Sequence, residues 1–217
     1  MNKDEFMNMG TGQVLVKDYL EILASSEAVP GGGGASGLVA ALSAALGSMV
    51  CNLTSGKKKY AEYQEEIEGL LDKCNEYIRL LIEAADEDAV CFEPLSRAYS
   101  LPKDTEEEIA YRNKVLEEKL EIAARAPLKM IGLIKELLDI LSRLSEIGSR
   151  LAISDVGVAA YFAKAAANTA SLNVYINTGL MKNKTLSEEL NKKAEELVDK
   201  CDRIGDSVFD KVKKELK

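Results

Sequence analysis

The stretch from Ala28 to Gly56 constrains this chain more than any other, because it contains no Asp, Glu, Lys or Arg in a protein where 29% of residues are charged. It opens on Pro30 and the run Gly31 to Gly34, continues in Ala, Gly, Ser, Leu and Val, and stops at Lys57, Lys58 and Lys59. Consecutive glycines lose much backbone entropy on folding and must be held in place by their surroundings. The spacing therefore predicts a glycine loop over Ser25–Gly34 feeding a buried helix over Ala35–Ser55. That helix is long enough to span a bilayer. Its Ala, Gly and Ser content fits the core helix of a soluble bundle better.

The rest of the chain reads as helix. Ala, Leu, Glu and Lys dominate, and no segment alternates with period two long enough for a strand. A short helix is expected over Thr11–Ala24, after a frayed tail at residues 1–10. A third helix runs over Tyr60–Phe92 on the stripe Ile67, Leu71, Cys74, Ile78, Leu81, Ala85 and Phe92, and Pro94 marks its end. Thr105 with Glu108 is a capping box opening a fourth helix, which Ala126-Pro127 breaks. A fifth helix carries Leu128, Ile131, Ile134, Leu138, Leu141 and Leu144 to a stop at Gly148. Ser154-Asp155 opens a second nearly uncharged helix to about Met181, and the box at Thr185–Glu188 starts a polar last helix. The expected fold is all-α, a single-domain bundle over residues 1–217 of about seven helices. Two of them are nearly uncharged and buried, with part of that surface covered by a second copy of the chain.

Composition narrows the chemistry. There is no histidine, which removes the commonest general base, the commonest zinc ligand and every Ser-His or Cys-His nucleophile. The four cysteines form no C-x-x-C pair and read as buried thiols, with no metal site expected. A net charge of −8 argues against binding along a nucleic-acid backbone. The N-terminus lacks the apolar core of a signal peptide, so a cytoplasmic location is expected, with no membrane and no nucleic acid as partner.

Gly32-x-Gly34-x-x-Gly37 spells a dinucleotide motif, but no strand precedes it and no P-loop lysine follows. Two readings of the glycines stand together, close packing of helices and a ligand site at a helix N-terminus. Within the run Asp86, Glu87, Asp88, a helical wheel places Asp88 inside the apolar stripe, Asp86 on its edge and Glu87 outside. A carboxyl group among Leu and Phe must be paired, bonded or protonated. Burial raises its pKa into the range where it serves as a general acid, while a purely structural buried Asp fits the same pattern. Asp155 begins a helix, where a carboxylate also serves as a cap. Asn173 and Asn177 lie one turn apart on an apolar helix and need hydrogen-bond partners there. Lys57 to Lys59 form either a solvated junction or a positive cluster near the glycines.

Taken together, these residues resemble the cyclodeaminase/cyclohydrolase family of folate enzymes, from about Val14 to the last helix. The resemblance is carried by Pro30-Gly31-Gly32-Gly33, Gly47 and Met49, Lys57-Lys58-Lys59-Tyr60, Asp86-x-Asp88 before Phe92, and Leu101-Pro102-Lys103. Further on it rests on Pro127-Leu128, Ser154-Asp155 and Asn173-Val174-x-Ile176-Asn177. Two positions depart from the family pattern: Gly34 stands where Ser is usual, and Gly148-Ser149 where Gly-Asn is usual.

The resemblance implies an all-helical homodimer that makes or opens the 5,10-methenyl bridge of tetrahydrofolate, with Asp88 as the proton donor and no metal or redox cofactor. Substrate contacts then fall to Pro30, Gly31, Gly32, Gly33, Gly34, Asp86, Asp155, Asn173 and Asn177. Lys57 and Lys58 would meet the glutamate tail, polyglutamylated tails included. Cyclodeaminase is put first of the two reactions, because the family pattern is best defined there. Cyclohydrolase is the alternative, and a non-catalytic oligomer of the same fold is the reading from another class.

Overall fold

A computed structural model describes residues 2–217, and among them all regular structure is helical. The α-helices are α1 (Lys3–Met9), α2 (Val16–Leu23), α3 (Gly32–Thr54), α4 (Gln64–Ala98), α5 (Glu106–Ile147), α6 (Ile153–Leu180) and α7 (Lys184–Leu216), with three short 3-10 turns between them.

The core forms where the helical apolar stripe is densest. Met130, Ile131, Ile134, Leu138, Leu141 and Leu144 of α5 are fully enclosed. Each such side chain contributes roughly 1.5–3 kcal/mol on leaving water. α3, α4, α6 and α7 surround this row. α3 and α6 run antiparallel and come close because small residues face each other. The Ser43 hydroxyl donates to the Ala159 carbonyl at 2.7 Å, and Ser36 Oγ lies 2.8 Å from Thr169 Oγ1. α3 and α4 come close at Gly37, where an added Cβ would stand 2.7 Å from Ala85 Cβ and 3.0 Å from the Leu81 carbonyl. α3 is the one helix long and apolar enough to cross a membrane among the described residues, and 61% of its most apolar window is buried inside the fold.

Several boundaries differ from those read in the sequence. Residues 3–9 are helical rather than frayed: Asn2 and Glu5 form a capping box, and Phe6 is buried edge-on against Tyr19, with ring centroids 5.9 Å apart. The polar surroundings of Phe6 hide this anchor in the sequence. The expected loop glycines Gly32, Gly33 and Gly34 already belong to α3, with Gly31 as its N-cap. Neither proline stops its helix. Pro94 sits four residues before the end of α4, and Pro127 lies in the middle of a continuous α5, so the expected fourth and fifth helices are one. A proline inside a helix costs about 3 kcal/mol, and the buried α5 stripe outweighs that. α7 is capped by Asn183, whose side chain accepts from Leu186 N–H at 3.1 Å, so the Thr185 box is unused. Gly148 does cap α5, but at φ −69; what it supplies there is room, since a Cβ would lie 2.5 Å from the Leu144 carbonyl.

Candidate functional site

The N-terminus of α3, the middle of α4 and the C-terminal half of α6 converge on one cavity of about 170 Å³, lined in part by Gly31, Gly32, Gly33, Asp88, Asn173 and Asn177. Ala28, Val29, Phe92, Ala123 and Ile176 complete its wall. Asp88 is the only titratable side chain on it.

Gly33 makes this convergence possible by lacking a side chain. None of Gly31 to Gly34 has a positive φ; among the described residues only Gly10 and Gly56 do. At Gly33 an added Cβ would stand 2.2 Å from Asp88 Oδ2 and 2.6 Å from Oδ1. The carboxyl group therefore lies directly on the first turn of α3. Only a residue without a Cβ admits it there. No side chain caps α3, so its first N–H groups are free for a ligand at the cavity.

The electrostatics follow from that placement. Asp88 forms no hydrogen bond or ion pair among the described residues, and burial alone pushes its pKa up to about 6. The positive end of α3 favours the anion by up to about 1 kcal/mol at exposed sites. Without an N–H bonded to the carboxylate, loss of solvent prevails. The neighbouring acids behave as the helical wheel separates them. Glu87 points outward and pairs with Lys129 Nζ at 2.6 Å. Asp86 accepts the Thr11 N–H at 2.8 Å and fixes the N-terminal segment to α4, outside the cavity wall. Tyr19 stands behind Gly34, with its hydroxyl 3.6 Å from where a Cβ would lie. That hydroxyl is buried without a partner, and burial, then Asp86 and Asp88, push its pKa up to about 12.

Asn177 is held by a defect in α5. Pro127 has no N–H, so the Ala123 carbonyl four residues earlier has no helical donor. Asn177 Nδ2 donates to that carbonyl at 3.0 Å and to the Asn173 carbonyl at 2.8 Å. The side-chain oxygen of Asn177 is left to accept from a ligand. Asn173 donates to the Thr169 carbonyl at 3.2 Å, beside Gly32.

The sequence-derived site set thus divides. Gly31, Gly32, Gly33, Asp88, Asn173 and Asn177 line the cavity; Pro30 and Gly34 stand just behind it, with Pro30 Cβ 3.5 Å from a Cβ built on Gly34. Lys57, Lys58 and Asp155 lie at the opposite end of the α3–α6 pair. There Lys57 Nζ donates to Ser149 Oγ at 3.1 Å, and Asp155 occupies the first turn of α6 without capping it. Proximity in sequence to the glycines misleads here, because the whole of α3 intervenes. Ala28, Val29, Phe92, Ala123 and Ile176 were not named as substrate contacts, although Phe92 and Ile176 stand in the motifs that carry the resemblance; for Ala123 the available signal was an alanine four before a proline.

The profile of the formiminotransferase-cyclodeaminase family matches residues 15–196. A methenyltetrahydrofolate cyclohydrolase of Methylorubrum extorquens is 37% identical over 205 residues, covering 94% of this chain and 99% of that protein. A formimidoyltransferase-cyclodeaminase of Rattus norvegicus is 30% identical over 183 residues, 84% of this chain and 34% of the rat protein. Among solved structures, a formiminotetrahydrofolate cyclodeaminase of Thermotoga maritima superposes with a TM-score of 0.85 at 27% identity, over 95% of this chain and 99% of that one.

Proposed function

The chain belongs to the formiminotransferase-cyclodeaminase family, and from that premise we propose that it opens or closes the 5,10-methenyl bridge of tetrahydrofolate, with Asp88 moving the proton. The observation that carries this reading is the single carboxyl group on the cavity wall, unpaired and held near pKa 6 by burial. Near neutral pH such a group exists in both protonation states, about one tenth protonated at pH 7, as a proton shuttle requires.

In the cyclohydrolase reaction, water adds to the methenyl carbon between nitrogens 5 and 10. Asp88 as the carboxylate takes a proton from that water. The bond from carbon to nitrogen 5 then breaks with its electron pair going to nitrogen, Asp88 returns the proton there, and the hydroxyl left on the carbon loses its remaining proton to solvent as the formyl C=O forms. The product is 10-formyl-tetrahydrofolate. In the cyclodeaminase reaction, nitrogen 10 attacks the formimino carbon, and the bond from that carbon to the departing nitrogen breaks. The hydrogen of nitrogen 10 passes to that departing nitrogen and protonated Asp88 supplies a second proton, so the group leaves as ammonia and the methenyl cation remains. A proton donor of this kind contributes roughly 10²–10⁴ in rate. The α3 N–H groups and the Asn177 oxygen hold the ring so that the reacting carbon faces Asp88, which supplies the orientation term.

Cyclohydrolase comes first here, supported by the 37% identical relative that matches along nearly its whole length. This reverses the order expected from the sequence. Cyclodeaminase is the second reading, favoured by the solved structure of the same fold. The test is absorbance of the methenyl chromophore with each substrate supplied separately. Turnover of 5,10-methenyl-tetrahydrofolate alone establishes the first reading, and chromophore formation from 5-formimino-tetrahydrofolate the second. Inertness toward both sinks the proposal and leaves a non-catalytic oligomer.

A further inference from the structure

Tyr19 is 2% exposed, and its hydroxyl is buried without a hydrogen-bond partner among the described residues. α2 turns Tyr19 and Ile22 inward, and the Tyr19 ring packs edge-on against Phe6 of α1. Held there, the ring carries its oxygen to the first turn of α3. A Cβ built on Gly34 would meet that oxygen at 3.6 Å and the Ala85 carbonyl at 3.8 Å. Buried O–H groups are nearly always bonded, so this one calls for an explanation. Burial, Asp86 and Asp88 push the phenol up to about 12, which keeps its proton in place throughout the neutral range and makes it a donor.

The acceptors facing it come from one stretch of α4. The Ala85 carbonyl lies inside that helix and serves its ladder. Asp86 is committed to the N-terminal segment. Its Oδ1 accepts the Thr11 N–H at 2.8 Å, and its Oδ2 lies 2.9 Å from where a Cβ on Gly10 would stand. Asp88 alone is left without a partner, and it rests against Gly33, the residue beside Gly34. No other charge competes for the pair. α3 has no charged residue, and α1 buries only Phe6. Glu87 pairs outward with Lys129 of α5. Cys91, the next titratable group along α4, is a thiol that burial keeps protonated. From α5 and α6 the cavity wall receives only Ala123, Asn173, Ile176 and Asn177.

We propose that Tyr19 is a positioning residue for Asp88: its hydroxyl donates to the carboxylate, across at most one water, whenever Asp88 has released its proton, and holds the group against α3 for the proton's return. The role in turnover rests on the reading of Asp88 as the proton carrier; the hydrogen bond does not. A neutral donor beside a desolvated carboxylate favours the charged form and offsets part of the effect of burial. A bridging water transmits that nearly as well as direct contact. Tyr19 is not on the cavity wall, so it acts on the carboxyl group and leaves substrate contacts alone.

Tyr19→Phe removes the oxygen and keeps the ring. Carbon-13 NMR of protein labelled at the aspartate carboxyls, with the Asp88 signal assigned through Asp88→Asn, follows the titration without substrate. Asp88 should titrate about one pH unit higher in Tyr19→Phe than in wild type. Thermal melts give the same sign by a second route. A carboxyl whose pKa is raised further penalises the native state only where it is ionised, so the Tm of Tyr19→Phe relative to wild type should fall from pH 5 to pH 8. An unmoved Asp88 titration, with a Tm change equal at both pH values, overturns the proposal: the phenol then only fills space or serves Asp86.

On whichever folate the wild type turns over, Tyr19→Phe should lower kcat about tenfold with KM within about twofold, and the Asp88 limb of the pH profile should move as the NMR titration does. A displaced titration with unchanged kcat overturns the positioning role. A wild type inert toward both folates removes the folate reading, and the NMR titration then still decides the hydrogen bond.

Discussion

Replacing Gly33 by alanine tests the geometry of the cavity most directly. The added Cβ would stand 2.2 Å from Asp88 Oδ2, where ordinary contact begins at 3.4 Å, so the carboxyl group must retreat by about 1.2 Å. It is the end of a short, movable side chain, so the fold yields at little cost. Alanine gains up to about 1 kcal/mol over glycine in a helix, and crowding takes back about 1–3 kcal/mol. In a chain of this size that amounts to a change in Tm within about 8 °C. The chemistry has no such tolerance. A displacement near 1 Å costs about 10²-fold, or about 2.7 kcal/mol of transition-state stabilisation. Gly33→Ala is therefore expected to fold, to keep its Tm within that range, and to lose about two orders of magnitude in kcat. Gly69→Ala is the control: it lies exposed on α4 with nothing within 4 Å, and should gain a little stability at full activity. Steady-state kinetics on the methenyl chromophore with thermal melts on both variants decide it. Near-normal turnover by Gly33→Ala would refute the claim that the carboxyl works where the first turn of α3 holds it.

Asp88→Asn should lower kcat by about 10²–10⁴, and the wild-type rate of a step needing protonated Asp88 should fall about tenfold per pH unit above about 6, a limb absent from the variant. The same substitution should stabilise the fold: a carboxyl pKa raised on folding penalises the native state fully above pH 6 and not at all below about 4, so the variant's advantage, on the order of 3 kcal/mol in denaturant titrations at pH 8, should vanish on acidification. Asp86→Asn should do the reverse, losing about 1–2 kcal/mol through the weakened Thr11 bond while kcat stays within about threefold. Pro127→Ala should raise Tm, as the Ala123 carbonyl regains a helical donor, and raise KM as Asn177 loses its anchor; an unchanged KM would show that Asn177 does not touch substrate.

Helical period was enough to place Asp88 on the buried side of α4 and Glu87 outside, because both follow from the turn angle of one continuous helix. The all-α class was legible for the same reason: each long stripe implies its helix. Three things were not. Pro94 and Pro127 read locally as breaks, and only the tertiary burial of α5 keeps the helix running through the second. Gly31 to Gly34 read as a loop feeding the helix, yet Gly32 to Gly34 belong to α3, and at Gly33 the structure asks for the absence of a Cβ, a demand set by Asp88 more than fifty residues away. The lysines after α3 read as near the glycines because sequence distance conceals the rise of a helix. Short-range rules see propensity and period; each of these errors was decided by what a distant element placed alongside.

The proline inside α5 carries a lesson for anyone who would redesign this protein. A procedure that idealises helices would remove Pro127 first, since it forfeits a hydrogen bond in a buried segment. Yet the vacated Ala123 carbonyl is the socket into which Asn177 is plugged, and α6 reaches it from the far side of the cavity. The irregularity works as an address: it leaves one carbonyl within a helix of 42 residues without a helical donor, open to a side chain from elsewhere. Scaffold libraries drawn only from unbroken helices would lack carbonyls freed in this way. Designs that need an amide oriented in a helical core can create one by placing a proline four residues beyond the intended acceptor.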